Sequence, residues 1–176
     1  MAAATAVDDA GDGALSVTVD LDVHTEAGDA PTRADMERWL DATLGAAGGG
    51  RAGGHEIGVR IVAEPESRAL NHRYRRKDNA TNVLAFPSAG LPPDWPAELA
   101  MPLGDLVICA PVVAREAAEQ AKDPADHWAH MLVHGMLHLL GHDHQTEAEA
   151  ARMEALEIRV LTAGGLENPY EDRYPT

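Results

Sequence analysis

The sequence predicts one domain of mixed α and β structure, on three observations. At 176 residues the chain suits a single well-buried core and leaves little room for a second full domain. Four short segments carry strand patterns and five carry helix signals, interspersed along the chain without an internal repeat. The composition, 45% hydrophobic and 24% charged, is that of a globular chain, although aromatics at 4% leave the core to aliphatic side chains.

The elements follow in order. Leu15, Val17, Val19 and Leu21 alternate with polar residues, the period-2 mark of a half-buried strand. After Pro31, the apolar residues Met36, Trp39, Leu40 and Leu44 recur at helical spacing, until the glycine-rich stretch Gly45 to Gly54 ends the helix in a loop. Glu56 to Ala63 reads as a second strand, and Pro65 opens a helix carrying Leu70 and a cluster of cations. Thr81 to Phe86 reads as a third strand. Five prolines between Pro87 and Pro102 mark an irregular loop, and Leu103 to Ala110 is a fourth strand. Pro111 starts a helix that Asp123-Pro124 ends. A long helix then runs from about Ala125 to Leu140, where Gly141 stops it. Thr146 with Glu149 forms a capping box for a last helix through Leu161. Residues 1–13 and 165–176 are expected to be flexible.

Charge and cysteine content restrict the function. Cys109 is the sole cysteine, which excludes an intramolecular disulfide and any zinc site needing two or four thiolates within the chain. A reducing compartment follows, and the small, acidic opening residues resemble no secretory signal, so a cytoplasmic protein without a membrane partner is expected. A net charge of −15 argues against broad nonspecific nucleic-acid binding and against DNA as a partner. Yet five of the 14 basic residues, Arg68, Arg73, Arg75, Arg76 and Lys77, lie within ten positions of one another. Such a run is either a solvated helix face or a local anion site.

The stretch HMLVHGMLHLLGHDH, His130 to His144, carries the chemistry. Residues four apart face the same side of a helix, so His134 and His138 can hold one metal ion. Gly141 can take the left-handed conformation that ends the helix and lets the chain bring back His144 as third ligand. Three protein ligands leave an open position, the arrangement of a catalytic zinc, which lowers the pKa of its water from about 15.7 to about 7. His130 would face the second layer or solvent, since a third i+4 step drifts around the helix. His142 also follows the turn and could close the open position. Asp143 either orients a ligand imidazole or sits in solvent.

Metzincin proteases carry a glutamate after the first histidine as general base. Here that position is Gly135. Losing such a base costs typically ~10²–10⁴-fold, so a peptidase would have to recruit Glu64, Glu66 or Glu116. A phosphodiester needs it less, since a ribose 2′-hydroxyl can be the nucleophile while the metal and a cation stabilise the phosphorane-like charge.

Leu70-Asn71-x2-Tyr74-Arg75-x-Lys77-Asp78 followed by Thr81-Asn82-Val83-Leu84-Ala85-Phe86-Pro87, then Gly104-Asp105-Leu106-Val107-Ile108, then HGMLHLLGHDH, closely resembles the YbeY family of ribosomal RNA maturation endoribonucleases. The resemblance runs from about Glu56 to Leu161, with Ala85 replacing a common Ser and His142 a common Tyr. It implies an α+β fold, a small mixed sheet packed by helices that include the three-histidine helix-turn motif. It also implies that His134, His138 and His144 bind one zinc ion, with Arg75 nearby to grip a phosphate. A guanidinium beside a cation makes sense mainly where both face an anion. Three readings follow. The first is a zinc-dependent endoribonuclease specific for single-stranded RNA, acting in ribosomal RNA maturation and ribosome quality control, with ribosomal proteins or the small ribosomal subunit as further partners. The second is a zincin-like metallopeptidase. The third is a ribosome-assembly binding factor whose metal is structural, with a fourth protein ligand such as His142.

Overall fold

The computed structural model describes residues 16–171. In chain order these form β1 (Val17–Val23), α1 (Arg33–Ala46), β2 (His55–Val62), α2 (Glu64–Arg75), β3 (Val83–Pro87), β4 (Met101–Cys109), α3 (Ala110–Glu119), α4 (Pro124–Leu139) and α5 (Glu147–Ala163). The strands make one sheet in the order β1-β2-β4-β3. β1 and β2 are parallel, as are β2 and β4, whereas β3 runs antiparallel to β4 along one edge. The small mixed sheet packed by helices is therefore the architecture observed. Leu15 and the flexible segment expected at 1–13 lie outside the described residues, as do residues 172–176.

Strand alternation divides the core in two. Val17, Val19, Ile57, Val59, Ile61, Val83, Leu106 and Ile108 point to one face, where α1 and α4 cover them with Met36, Leu40, Trp128, Leu132 and Met136. Val62, Leu84, Val107 and Cys109 point to the other and meet Leu70 of α2 and Val112 of α3. α5 packs behind α4 through Met153, Val160 and Leu161 against Ala129, Val133 and Leu137.

Helix α4 is thus enclosed on two sides. Its close approach to the sheet depends on Gly135, where a Cβ would stand 2.8 Å from Leu106 Cδ2 and 3.2 Å from Val83 Cγ2. The position that holds a glutamate in metzincins here faces the sheet and has no room for a side chain.

Boundaries depart from the sequence reading where pairing overrides local signals. β1 runs on to Val23 because it stays in register with β2 as far as Ile61. α3 stops at Glu119 rather than at Asp123, since Ala121 takes a left-handed φ of 51° and the N–H groups of Ala121 and Lys122 bond back to Ala118 and Ala117. Pro102, read as loop, lies within β4. It sits at the register shift between Glu56 and Ile57 and beyond Gly104, the last β4 residue paired with β3, so its missing N–H interrupts little.

Gly104 has φ +130°, and a Cβ there would lie 2.2 Å from the carbonyl oxygen of Phe86. Gly104→Ala is expected to destabilise the protein by about 1–3 kcal/mol from backbone strain alone. Urea denaturation would read this as a lowered midpoint, and a midpoint equal to that of the unsubstituted protein would refute it.

Candidate metal centre

The sheet takes one face of α4 and α5 another. The remaining stripe carries His127, His130, His134 and His138, so four imidazoles stand in sequence along one side of a largely buried helix. Asp123 caps the start of this helix by accepting from the N–H of Ala125 at 2.8 Å. Gly141, at φ +90°, ends it in a Schellman turn in which the N–H of Gly141 bonds to the His138 carbonyl and that of His142 to the Leu137 carbonyl, both at 3.0 Å. Asp143 then accepts from the backbone N–H of His144 at 2.8 Å and from the side chain of Gln145 at 2.7 Å. It shapes the loop rather than an imidazole. Thr146 and Glu149 complete their capping box, at 3.2 and 3.1 Å, and α5 begins.

This turn returns His144 to the helix. Its ring stacks on that of His134, with centroids 5.8 Å apart, and lies 5.2 Å from that of His138. One nitrogen from each of His134, His138 and His144 lies within 4.8 Å of the others, a grouping that could hold a metal ion. Among the described residues no other group of histidine, cysteine or carboxylate ligands does so, and the His142 imidazole is not part of this one. What His142 contributes is its carbonyl oxygen, which accepts from His138 Nδ1 at 3.0 Å.

The outer hydrogen bonds assign the tautomers. Glu157 Oε1 lies 2.5 Å from His134 Nδ1, and a carboxylate accepts only, so Nδ1–H is the donor. His138 Nδ1 likewise donates to a carbonyl. In the neutral form each ring therefore presents a bare Nε2 atom, and the two Nε2 atoms stand 3.2 Å apart. Two lone pairs so placed fit a shared cation. Burial, followed by the neighbouring His134 and His144 rings, pushes the His138 imidazole down to about 4, which keeps it neutral at neutral pH.

Arg75 ends α2 and faces this group across a cleft of about 480 Å3 that it lines with Lys77, Ala85, His138, Asp143 and His144. Among the described residues Arg73, Arg75, Arg76 and Lys77 have no ion-pair partner, whereas Arg68 is held by Asp78 at 2.8 Å; Arg73 lies over the Tyr74 ring at 5.3 Å, and of the run Arg75 and Lys77 line the cleft. The basic run is thus divided between a solvated helix face and two cations at the cleft. No glutamate lines it. Glu64 pairs with Arg115, Glu66 with His24 and Arg60, and Glu116 with His127 and Asn82.

The sequence reading passed over Glu157 and Tyr170. Glu157 is fully buried, and its Oε2 accepts from the Tyr170 hydroxyl. His130 Nε2 lies 3.3 Å from that hydroxyl and 3.6 Å from Glu157 Oε2, which places it behind the site. A signal for Glu157 was available, since it interrupts the buried i, i+4 stripe of α5 between Met153 and Leu161. Tyr170 left none, because the tail after Gly164 reads as frayed. Residues 166–171 instead turn back over α4, tied by a bond from Lys122 Nζ to the Pro169 carbonyl at 3.2 Å.

These environments define a pH response of the metal-free protein. Burial raises the Glu157 carboxyl, but hydrogen bonds from His130 and His134 outweigh it and bring the pKa from 4.5 to about 2. A depressed carboxylate stabilises the fold above its unfolded value and loses that contribution as pH falls from 4.5 toward 2, up to about 3 kcal/mol. His138, neutral in the fold below its ordinary 6.5, costs stability as pH falls from 6.5 toward 4. Urea denaturation of metal-stripped protein should follow both losses, and Glu157→Gln should abolish the lower one. The same steepness below pH 4.5 in that variant would contradict the assignment.

Comparison with known proteins agrees with this geometry. The family model described as Endoribonuclease YbeY matches residues 22–165. A relative from Halorhodospira halophila, named Endoribonuclease YbeY, is 57% identical over 150 residues, covering 85% of this chain and 94% of its own. One of the same name from Alkalilimnicola ehrlichii is 51% identical over 157 residues, covering 89% and 92%. The solution structure of a Thermotoga maritima protein superposes with a TM-score of 0.51 over 90% of this chain and 97% of that one, and at 22% identity it speaks for the fold. With the family model spanning most of its length and relatives more than half identical to it, the chain belongs to the Endoribonuclease YbeY family.

Proposed function

We propose that this protein is a zinc-dependent endoribonuclease that cleaves single-stranded RNA in the cytoplasm, in ribosomal RNA maturation and ribosome quality control, where the small ribosomal subunit or its proteins would be further partners. The observation that carries the reading is the pairing, across one cleft, of three convergent imidazoles with the unpartnered Arg75. A cation facing a metal group suits an anion that bridges the two, and a phosphodiester is such an anion. Family membership, with relatives named as endoribonucleases, points the same way. No helix among the described residues is long and apolar enough to cross a membrane.

Zinc suits the donor set. Two imidazole nitrogens bound to a tetrahedral ion at about 2.0–2.1 Å stand roughly 3.3 Å apart, close to the 3.2 Å between the Nε2 atoms of His134 and His138. When bound, zinc would supply Lewis acidity toward the phosphoryl group and the attacking oxygen. The remaining work belongs to the chain. Glu157 and the His142 carbonyl hold two ligand rings with Nε2 outward. Arg75 presents a planar fork to the non-bridging phosphate oxygens and offsets the negative charge that grows on them, and Lys77 adds a second donor at the rim. No glutamate lines the cleft, and the carboxylate that does, Asp143, is engaged by the His144 N–H and the Gln145 side chain. This disfavours the peptidase reading, as the absence of His142 from the ligand group disfavours a closed, structural site.

Purified protein is expected to hold about one zinc per chain, and Arg75→Ala to keep it while losing RNA cleavage by roughly 10²–10³-fold, the range for removal of one charge-stabilising donor. Metal analysis and cleavage of an unstructured RNA measure the two together, and full activity in Arg75→Ala would sink the role of that residue. Product ends identify the nucleophile, with His138→Ala as the inactive control. A 2′,3′-cyclic or 3′-phosphate reports attack by the 2′-hydroxyl, a 5′-phosphate attack by water.

A further inference from the structure

The described part of the C-terminal tail joins a hydrogen-bond chain that leads through Glu157 to His134. His134 Nδ1 donates to Glu157 Oε1, and the Tyr170 hydroxyl donates to Glu157 Oε2. Glu157 is fully buried, yet among the described residues no Lys or Arg lies within ion-pair distance of it. A buried carboxylate without a cation is costly, and an apolar side chain in the Met153 to Leu161 stripe would pack at less cost. Glu157 Oε1 meets a candidate metal ligand, His134, and Oε2 meets the tail's Tyr170, with His130 Nε2 beside it at 3.6 Å.

The tail itself is held independently of this contact. Leu166 packs against the cluster formed by Ala129, Val133 and Leu137, Lys122 Nζ donates to the Pro169 carbonyl, and the Tyr170 N–H donates to Asn168 Oδ1 at 2.9 Å. The phenol is thus delivered to Glu157 by the tail's own anchors. His138, by contrast, is oriented locally, by a carbonyl four residues along the same chain. Of these two helix-borne rings, His134 alone depends on a partner from another element.

We propose that Glu157 and Tyr170 are positioning residues for the metal centre. Tyr170 fixes the rotamer of Glu157, and Glu157 holds His134 in the Nδ1–H tautomer with Nε2 bare and aimed at the ion. This rests on the reading of His134, His138 and His144 as the ligand set. In Glu157→Gln an amide N–H can turn toward Nδ1, which shifts the proton to Nε2 and removes the ligand. In Tyr170→Phe the carboxylate stays but loses the donor that holds Oε2.

The full-length protein with each substitution tests this by three readouts. Long-range proton–nitrogen NMR correlation on metal-free protein should find His134 as the Nδ1–H tautomer, with the Nε2–H form rising in both variants. Zinc affinity, measured by competition with a chromogenic chelator, should fall about 10–100-fold in Glu157→Gln, as for loss of an outer partner of a ligand, and in the same direction by a smaller factor in Tyr170→Phe. The visible spectrum of cobalt-loaded protein should shift in both. Tyr170 lies on the partly exposed tail, so Tyr170→Phe decides the matter even where Glu157→Gln fails to fold. A Tyr170→Phe protein with unchanged tautomer, zinc affinity and cobalt spectrum would overturn the proposal. Failure of the unsubstituted protein to take up zinc would overturn the ligand reading instead, and the tautomer measurement would still judge the clamp.

Discussion

The close approach of α4 to the sheet at Gly135 is the constraint from which the site follows. Without a Cβ there, the helix lies near enough to Val83 and Leu106 that its flanks are committed, one to the sheet and one to α5. With α1 and α3 also packed on it, the stripe between these contacts carries the four histidines. The same contact places the C-terminal end of α4 beside β3 and the end of α2, which is how Arg75 comes to face His138 and His144. Packing thus decides the electrostatics, and a buried backbone contact determines which side chains look into the cleft.

Gly135 also changes what its own position means. In sequence it stands where a zincin carries its base, which by itself says only that a base is missing. In the fold it has no outlet to the cleft at all, so a glutamate there could not serve the metal group and would press into Leu106.

Much of this was legible along the chain because the signals were local. The spacing of His134, His138 and His144, the stop at Gly141 and the capping box at Thr146 are decided within one or two helical turns, and all reappear in three dimensions. Alternation in β1 likewise foretold that Val17 and Val19 turn inward. What was not legible depended on partners distant in sequence. Pro102 reads as loop until β3 is known to stop opposite Gly104, and the rest of the basic run cannot be told from Arg75 and Lys77 until Asp78 and Tyr74 take their places. Glu157 could have been noticed as a charge in an apolar stripe, but its partner His134 is 23 residues away and the second, Tyr170, sits in a segment with no periodicity.

The short connection between α4 and α5 sets the manner in which the third imidazole is supplied. The chain from Gly141 to Thr146 is secured at one end by a Schellman turn and at the other by a capping box, with Asp143 bracing its middle. His144 is therefore a tethered ligand on a tether too short and too well bonded to wander. On the proposed reading of the three imidazoles as ligands, its effective concentration at the Nε2 atoms of His134 and His138 is that of an intramolecular group, so an arriving ion would meet a three-toothed chelate and not two ligands waiting for a third.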